Sequence, residues 1–252
     1  MTQSIEHRLA MAVALGFAVA STSSAQPFVR QTKVRVTAPT TMDWSYAVSG
    51  ESLAEAPEVL TPGYKPTAQR FDLYAPRPGT VARRLPVILF ISFRAAPMGW
   101  DYVGPTCVRE GVVYVGPHGA GNSTPSAERI RIVLDCLDEV RRNLPTDPDR
   151  TYIAGYSGGG YIASRIAMLL PEYFGGLIAS NMSVPLPTTA WHRDRMIHRL
   201  SVASIVGENE ASGLEMSRIH TPFLQAIGVR ARCQVLPRRG HSAPPLATFD
   251  SA

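Results

Sequence analysis

The segment Gly155-Tyr156-Ser157-Gly158-Gly159 sets one serine between glycines two positions away on either side. It directly follows the β-branched and aromatic run Thr151-Tyr152-Ile153-Ala154 and leads into an apolar stretch over residues 161–170. This is the strand–turn–helix context in which a G-x-S-x-G serine is lifted clear of a strand end. So tight a turn leaves no room for side chains two residues before or after the serine, which explains the glycines. The helix that follows aims its first N–H groups at the site where a carbonyl oxygen gains negative charge under attack. Ser157 is the predicted nucleophile and the Gly158 N–H the predicted oxyanion donor.

A serine hydroxyl is a poor nucleophile until a base removes its proton, and an imidazole can take that proton and later return it. His241, in Gly240-His241 after the apolar run 231–236, is the predicted base. A carboxylate is then needed to hold the imidazole tautomer and stabilise its charge. Gly207-Glu208-Asn209-Glu210, after the run 201–206, offers two. Glu210 is the first choice for the acid and Glu208 the alternative.

Positioning these groups requires a sheet. Residues 86–92 (Pro-Val-Ile-Leu-Phe-Ile-Ser) and 111–115 are continuous apolar runs, the mark of parallel strands buried on both faces. Residues 71–74, 176–180, 201–206 and 231–236 read as further strands. Ser126 opens a helix to Asn143, with Ile130, Val133, Leu134, Leu137 and Val140 on its core face and Arg129, Arg131, Asp138 and Arg141 facing water. Another helix spans about 212–227, and 185–200 reads as a polar connection carrying Trp191. Strands alternating with helices predict an α/β fold, a doubly wound and mostly parallel sheet with helices on both faces. Functional loops of such a sheet gather at the carboxyl ends of its strands, where all three candidate groups fall.

The chain has 252 residues and a formal net charge of +5. Its arginines are dispersed without a lysine-rich block, so no nucleic-acid partner is expected. Residues 1–25 read as a signal peptide: His7 and Arg8 precede an apolar run from Leu9 to Ala20, and Ser23-Ser24-Ala25 supplies a cleavage site. The expected location is secreted or periplasmic, with no stable membrane anchor after cleavage. Residues 26–68, rich in Pro, Thr and Ser, are expected to form an arm folded over the sheet edge, and 69–252 the catalytic domain. Cys107, Cys136 and Cys233 allow at most one internal disulfide, with a Cys107–Cys136 bridge and three free thiols both open. No Cys/His cluster has metal-ligand spacing and no phosphate loop is present, so no metal or cofactor is expected. His118 lies in a glycine-rich loop near the predicted site. His192, His198 and His220 read as surface residues, and Asn122 opens an Asn-Ser-Thr sequon.

Taken together, Asp147-Pro148-Asp149-Arg150-Thr151-Tyr152-Ile153-Ala154-Gly155-Tyr156-Ser157-Gly158-Gly159-Gly160, Gly207-Glu208-Asn209-Glu210 and Pro237-Arg238-Arg239-Gly240-His241 resemble the secreted α/β-hydrolases related to polyhydroxyalkanoate depolymerases and to feruloyl and acetylxylan esterases. The resemblance covers about residues 69–245. It implies a serine esterase with a Ser157–Glu210–His241 triad acting on an ester, including a polymeric one. This chain departs from the group in three places. Glutamate stands where aspartate is usual, Ser92-Phe93-Arg94-Ala95-Ala96 replaces a His-Gly oxyanion loop, and eleven residues follow His241 where relatives carry a terminal helix. Two other readings stand beside the esterase: a peptidase of the prolyl-oligopeptidase type, which shares the elbow, and a catalytically silent binding protein on the same scaffold.

Overall fold

The computed structural model describes residues 28–49, 59–77, 84–182, 184–187, 189–245 and 248. The expected signal peptide lies outside them. Among the described residues there are eight strands, β1 (Phe28–Arg35), β2 (Arg70–Pro76), β3 (Leu85–Ile91), β4 (Val113–Pro117), β5 (Thr146–Tyr156), β6 (Gly176–Ser180), β7 (Ser201–Gly207) and β8 (Arg230–Leu236). They form one sheet in the order β1-β2-β4-β3-β5-β6-β7-β8. β2 runs antiparallel to both β1 and β4, and every other pairing is parallel. The helices are α1 (Trp44–Ser49), α2 (Trp100–Glu110), α3 (Ser126–Asn143), α4 (Gly158–Leu169), α5 (Ala190–Ile197) and α6 (Ala211–Ala226).

The continuous apolar run of β3 is explained by two covered faces. Val87, Leu89 and Ile91 pack into one core with α3 and α4, while Ile88 and Phe90 point the other way, to α2. The two cores also settle the thiols. Cys136 belongs to the first and Cys107 to the second, so the sheet lies between them and no bridge can form. All three cysteines are free. Burial pushes the Cys107 thiol up to about 12.

Two expectations need correction. Arg129 and Asp138 of α3 do not face water but are 4% and 7% exposed. The arm is the cause for Asp138. It covers the outer side of α3, with the Thr40 hydroxyl donating to Asp138 at 2.5 Å, the Thr40 N–H donating to Asp135 at 2.6 Å and Thr37 bonding Glu139. Arg129 turns instead toward the site, as described below. Second, residues 185–200 contain α5, whose first turn is capped by the Thr189 hydroxyl accepting the His192 N–H. The segment before β4, to which the sequence reading gave no element, forms α2, a helix the pattern hides because Gly104 and Pro105 lie inside it. Gly104 is required there: a Cβ would sit 2.8 Å from the Trp100 ring.

A cavity of about 510 Å³ opens beside α2, between Val103 and Cys107 on one wall and Ile88, Tyr152, Ile178 and Ala203 on its floor. It reaches Gly176, Ser201 and Arg230, the first residues of β6, β7 and β8, and so lies at the amino end of the sheet. The chemistry lies at the opposite end.

Candidate active site

β5 ends at Tyr156, and Ser157 sits on the turn into α4 with φ 54° and ψ −125°, a strained conformation for a residue with a side chain. Its own N–H donates to the Ser180 carbonyl at 2.9 Å, tying the turn to the end of β6. The flanking glycines are sterically required. A Cβ on Gly155 would lie 2.4 Å from the Gly159 carbonyl, and one on Gly159 would lie 2.0 Å from the Ile91 carbonyl oxygen. The elbow is therefore pressed against the end of β3.

The structure brings the three predicted catalytic side chains together. Ser157 Oγ lies 2.9 Å from His241 Nε2, and His241 Nδ1 lies 2.9 Å from Glu210 Oε1. The His241 side chain is 48% exposed and that of Glu210 14%. Glu210 is the N-cap residue of α6, where the helix N–H dipoles favour a carboxylate. Its second oxygen, Oε2, is buried without a partner, so the charge is directed at the imidazole. Glu208 does different work: its Oε2 accepts the backbone N–H of Arg238 at 2.8 Å and fixes the turn after β8.

Two backbone N–H groups beside the elbow are candidates for the oxyanion side. The Arg94 N–H is taken by the Ser92 hydroxyl at 2.9 Å, and the Phe93 carbonyl accepts from the Asn122 N–H at 2.9 Å. Among the described residues the N–H groups of Phe93 and Gly158 have no hydrogen-bond partner. Phe93 packs edge-on against Tyr156, the residue before Ser157, with 5.4 Å between ring centroids. Sequence reasoning left a second candidate donor unnamed, because a backbone N–H carries no residue signature.

Sequence reasoning also missed Arg129. Its Nε donates to the Ala120 carbonyl at 2.7 Å and its Nη2 to the Gly158 carbonyl at 3.0 Å. The guanidinium thus ties the 119–122 loop to the first residue of α4, and burial lowers its pKa. The same loop places the Asn122 carboxamide against Gly158, at the mouth of the site. His118 takes no part: its Nε2 is 2.8 Å from Asp72 Oδ1 on β2. His192 and His220 are half-buried, bonded to Tyr46 and to the Val184 carbonyl respectively, and His198 is exposed. Among the described residues no group of three His, Cys, Asp or Glu is placed to hold a metal ion.

The strand order, the parallel crossovers and the serine on the turn between β5 and α4 define an α/β-hydrolase fold. Solved structures share it. A ferulic acid esterase is matched with TM-score 0.56 at 14% identity, covering 86% of this chain and 91% of that one. The S-formylglutathione hydrolase FrmB from Staphylococcus aureus is matched with TM-score 0.54 at 13% identity, covering 73% and 86%. A dienelactone hydrolase-like promiscuous phosphotriesterase, P91, from metagenomic libraries gives 0.55 at 12%, covering 89% and 88%. No family model matches the sequence, and no curated protein matches it.

Proposed function

We propose that this protein is a secreted serine hydrolase of carboxylic esters, working through an acyl-enzyme on Ser157. The observation that carries the reading is the unbroken line Glu210–His241–Ser157, with both contacts at 2.9 Å. His241 takes the Ser157 proton as Oγ attacks the ester carbonyl, and Glu210 stabilises the resulting imidazolium. The tetrahedral oxyanion is received by the N–H groups of Gly158 and Phe93. The imidazolium then gives its proton to the departing alkoxide, and the alcohol leaves. Water activated by the same imidazole frees the acid. Each oxyanion donor supplies roughly 10²–10³ in rate.

The exposure of His241 supports a bulky or polymeric ester as substrate, because close to half of its side chain stands open at the surface. The esterases and hydrolases of similar fold are consistent with ester chemistry. The apolar run 9–20 and its small-residue cleavage site support export. No helix among the described residues is long and apolar enough to cross a membrane. The test uses a fluorophosphonate probe with a panel of short acyl esters, polymeric esters and peptide anilides. Labelling at Ser157 with ester turnover is expected. Anilide cleavage without ester cleavage would favour a peptidase, and absence of labelling would favour a silent binding protein.

A further inference from the structure

His241 sits on a loop without regular secondary structure, and its ring is half exposed. Two ring contacts cannot by themselves hold such a loop in register with Ser157. The main chain is fixed instead, at two consecutive carbonyls. The Tyr156 hydroxyl donates to the His241 carbonyl at 3.1 Å, and Asn181 Nδ2 donates to the Ser242 carbonyl at 2.6 Å.

Both donors belong to the nucleophile's side of the site. Tyr156 immediately precedes Ser157, and Asn181 follows Ser180, whose carbonyl holds the Ser157 N–H at 2.9 Å. Asn181 also reaches the acid's side. Its Oδ1 accepts the Gly207 N–H at 3.2 Å and its own N–H donates to the Ile205 carbonyl at 2.7 Å, at the end of the strand that leads to Glu210. The residue is 3% exposed and adopts φ 49°, a left-handed conformation that asparagine tolerates better than most residues. A carboxamide is what this position needs. It accepts on one side and donates on the other, whereas a carboxylate would set an acceptor against the Ser242 carbonyl.

We infer that Asn181, with Tyr156, is a positioning residue that locks the His241 loop to the nucleophile turn and to the strand carrying the acid. The inference rests on the serine-esterase reading and deepens it. A displacement of about 1 Å in a catalytic group costs about 10²-fold in rate. Asn181→Ala should therefore lower kcat about 10- to 100-fold on a soluble acetyl ester while KM stays within about threefold. Tyr156→Phe, which keeps the ring, should lower kcat several-fold.

The deciding measurement is a double-mutant cycle with His241→Ala, read by ester turnover and by the rate of fluorophosphonate labelling at Ser157. A residue that acts through His241 loses its effect when the imidazole is gone, so each substitution should add less than about twofold on the His241→Ala background. Undiminished losses on that background, or variants that label and turn over like the unmodified protein, would overturn the positioning role and leave the esterase standing. Failure of the unmodified protein to label would instead sink the esterase reading and this inference with it. If Asn181→Ala does not fold, Tyr156→Phe decides by the same cycle.

Discussion

Glu210 Oε1 approaches His241 Nδ1 to 2.9 Å, while Glu208 spends its carboxylate on the backbone of Arg238. The strand β7 ends at Gly207, where a Cβ would lie 2.4 Å from the carbonyls of Arg239 and Gly240. That close approach brings the loop after β7 and the loop after β8 together, with Glu210 opposite His241. Glu210→Gln should lower kcat by about 10³–10⁴. Glu208→Gln keeps an oxygen able to accept the Arg238 N–H, weakens only a turn contact and should cost less than about tenfold. Glu210→Asp should retain part of the activity, since the carboxylate is shortened by one methylene. Steady-state kinetics on the three variants checks the ranking, and a dead Glu208→Gln beside a healthy Glu210→Gln would reverse the assignment.

Ser157 Oγ and His241 Nε2 lie 2.9 Å apart, and in the proposed mechanism they act as one unit, so their losses should not add. Ser157→Ala and His241→Ala are each expected to reduce turnover by several orders of magnitude, and the double variant little further. Near-native esterase activity and labelling in Ser157→Ala would remove the nucleophile assignment.

How far the sequence reached depends on what each feature is made of. The elbow was legible because glycine is the only residue that fits at Gly155 and Gly159, and steric need leaves a mark in residue type. That Glu210 and His241 come together with Ser157 was legible from their places after strand-like runs. The choice between Glu210 and Glu208 was not, because it depends on which way two neighbouring side chains turn. Arg129 read as a solvated helix residue since a 3.6-residue pattern sees one core face, and here a loop and an arm bury the flanks of α3 as well. The α2 helix was masked by Gly104 and Pro105, both poor helix formers, of which Gly104 lies close against the Trp100 ring. Asn181 carried no signal: its left-handed backbone and its three partners are properties of the fold.

The arm's hold on α3 should depend on acid. Burial raises the Glu139 carboxyl, but hydrogen bonds from Arg142, Thr37 and Asn143 outweigh it and bring the group from 4.5 down to about 2. A depressed carboxyl contributes stability in full above its unfolded value. That contribution fades as pH falls from about 4.5 toward 2. Asp135, raised by its own burial, works in the opposite sense, so the total is not diagnostic. The diagnostic quantity is the stability gap between the unmodified protein and Glu139→Gln in urea titrations. It should be largest at pH 6 and shrink steadily toward pH 2, and a gap independent of pH would refute the account.

The glycines of the elbow give the sharpest ranking, because the atoms that an added Cβ meets differ in how far they can yield. At Gly159 the obstacle is the Ile91 carbonyl oxygen at 2.0 Å, and at Gly155 it is the Gly159 backbone at 2.4 Å. Both are main-chain atoms locked in β3 and in the first turn of α4, so relief requires moving a strand or the nucleophile itself. At Gly158 the obstacle is the Asn122 Oδ1 at 2.0 Å, the far end of an exposed side chain that can swing away. Alanine also suits the first helical position better than glycine does, by up to about 1 kcal/mol. Gly159→Ala and Gly155→Ala are therefore expected to lose more than about 3 kcal/mol or fail to fold. Gly158→Ala should stay within about 1 kcal/mol of the unmodified protein, leaving its N–H in place as the oxyanion donor and changing substrate preference through the displaced Asn122. Denaturant midpoints and an ester panel measure both effects. Equal destabilisation at Gly158 and Gly159 would mean that the elbow does not press on β3 as described.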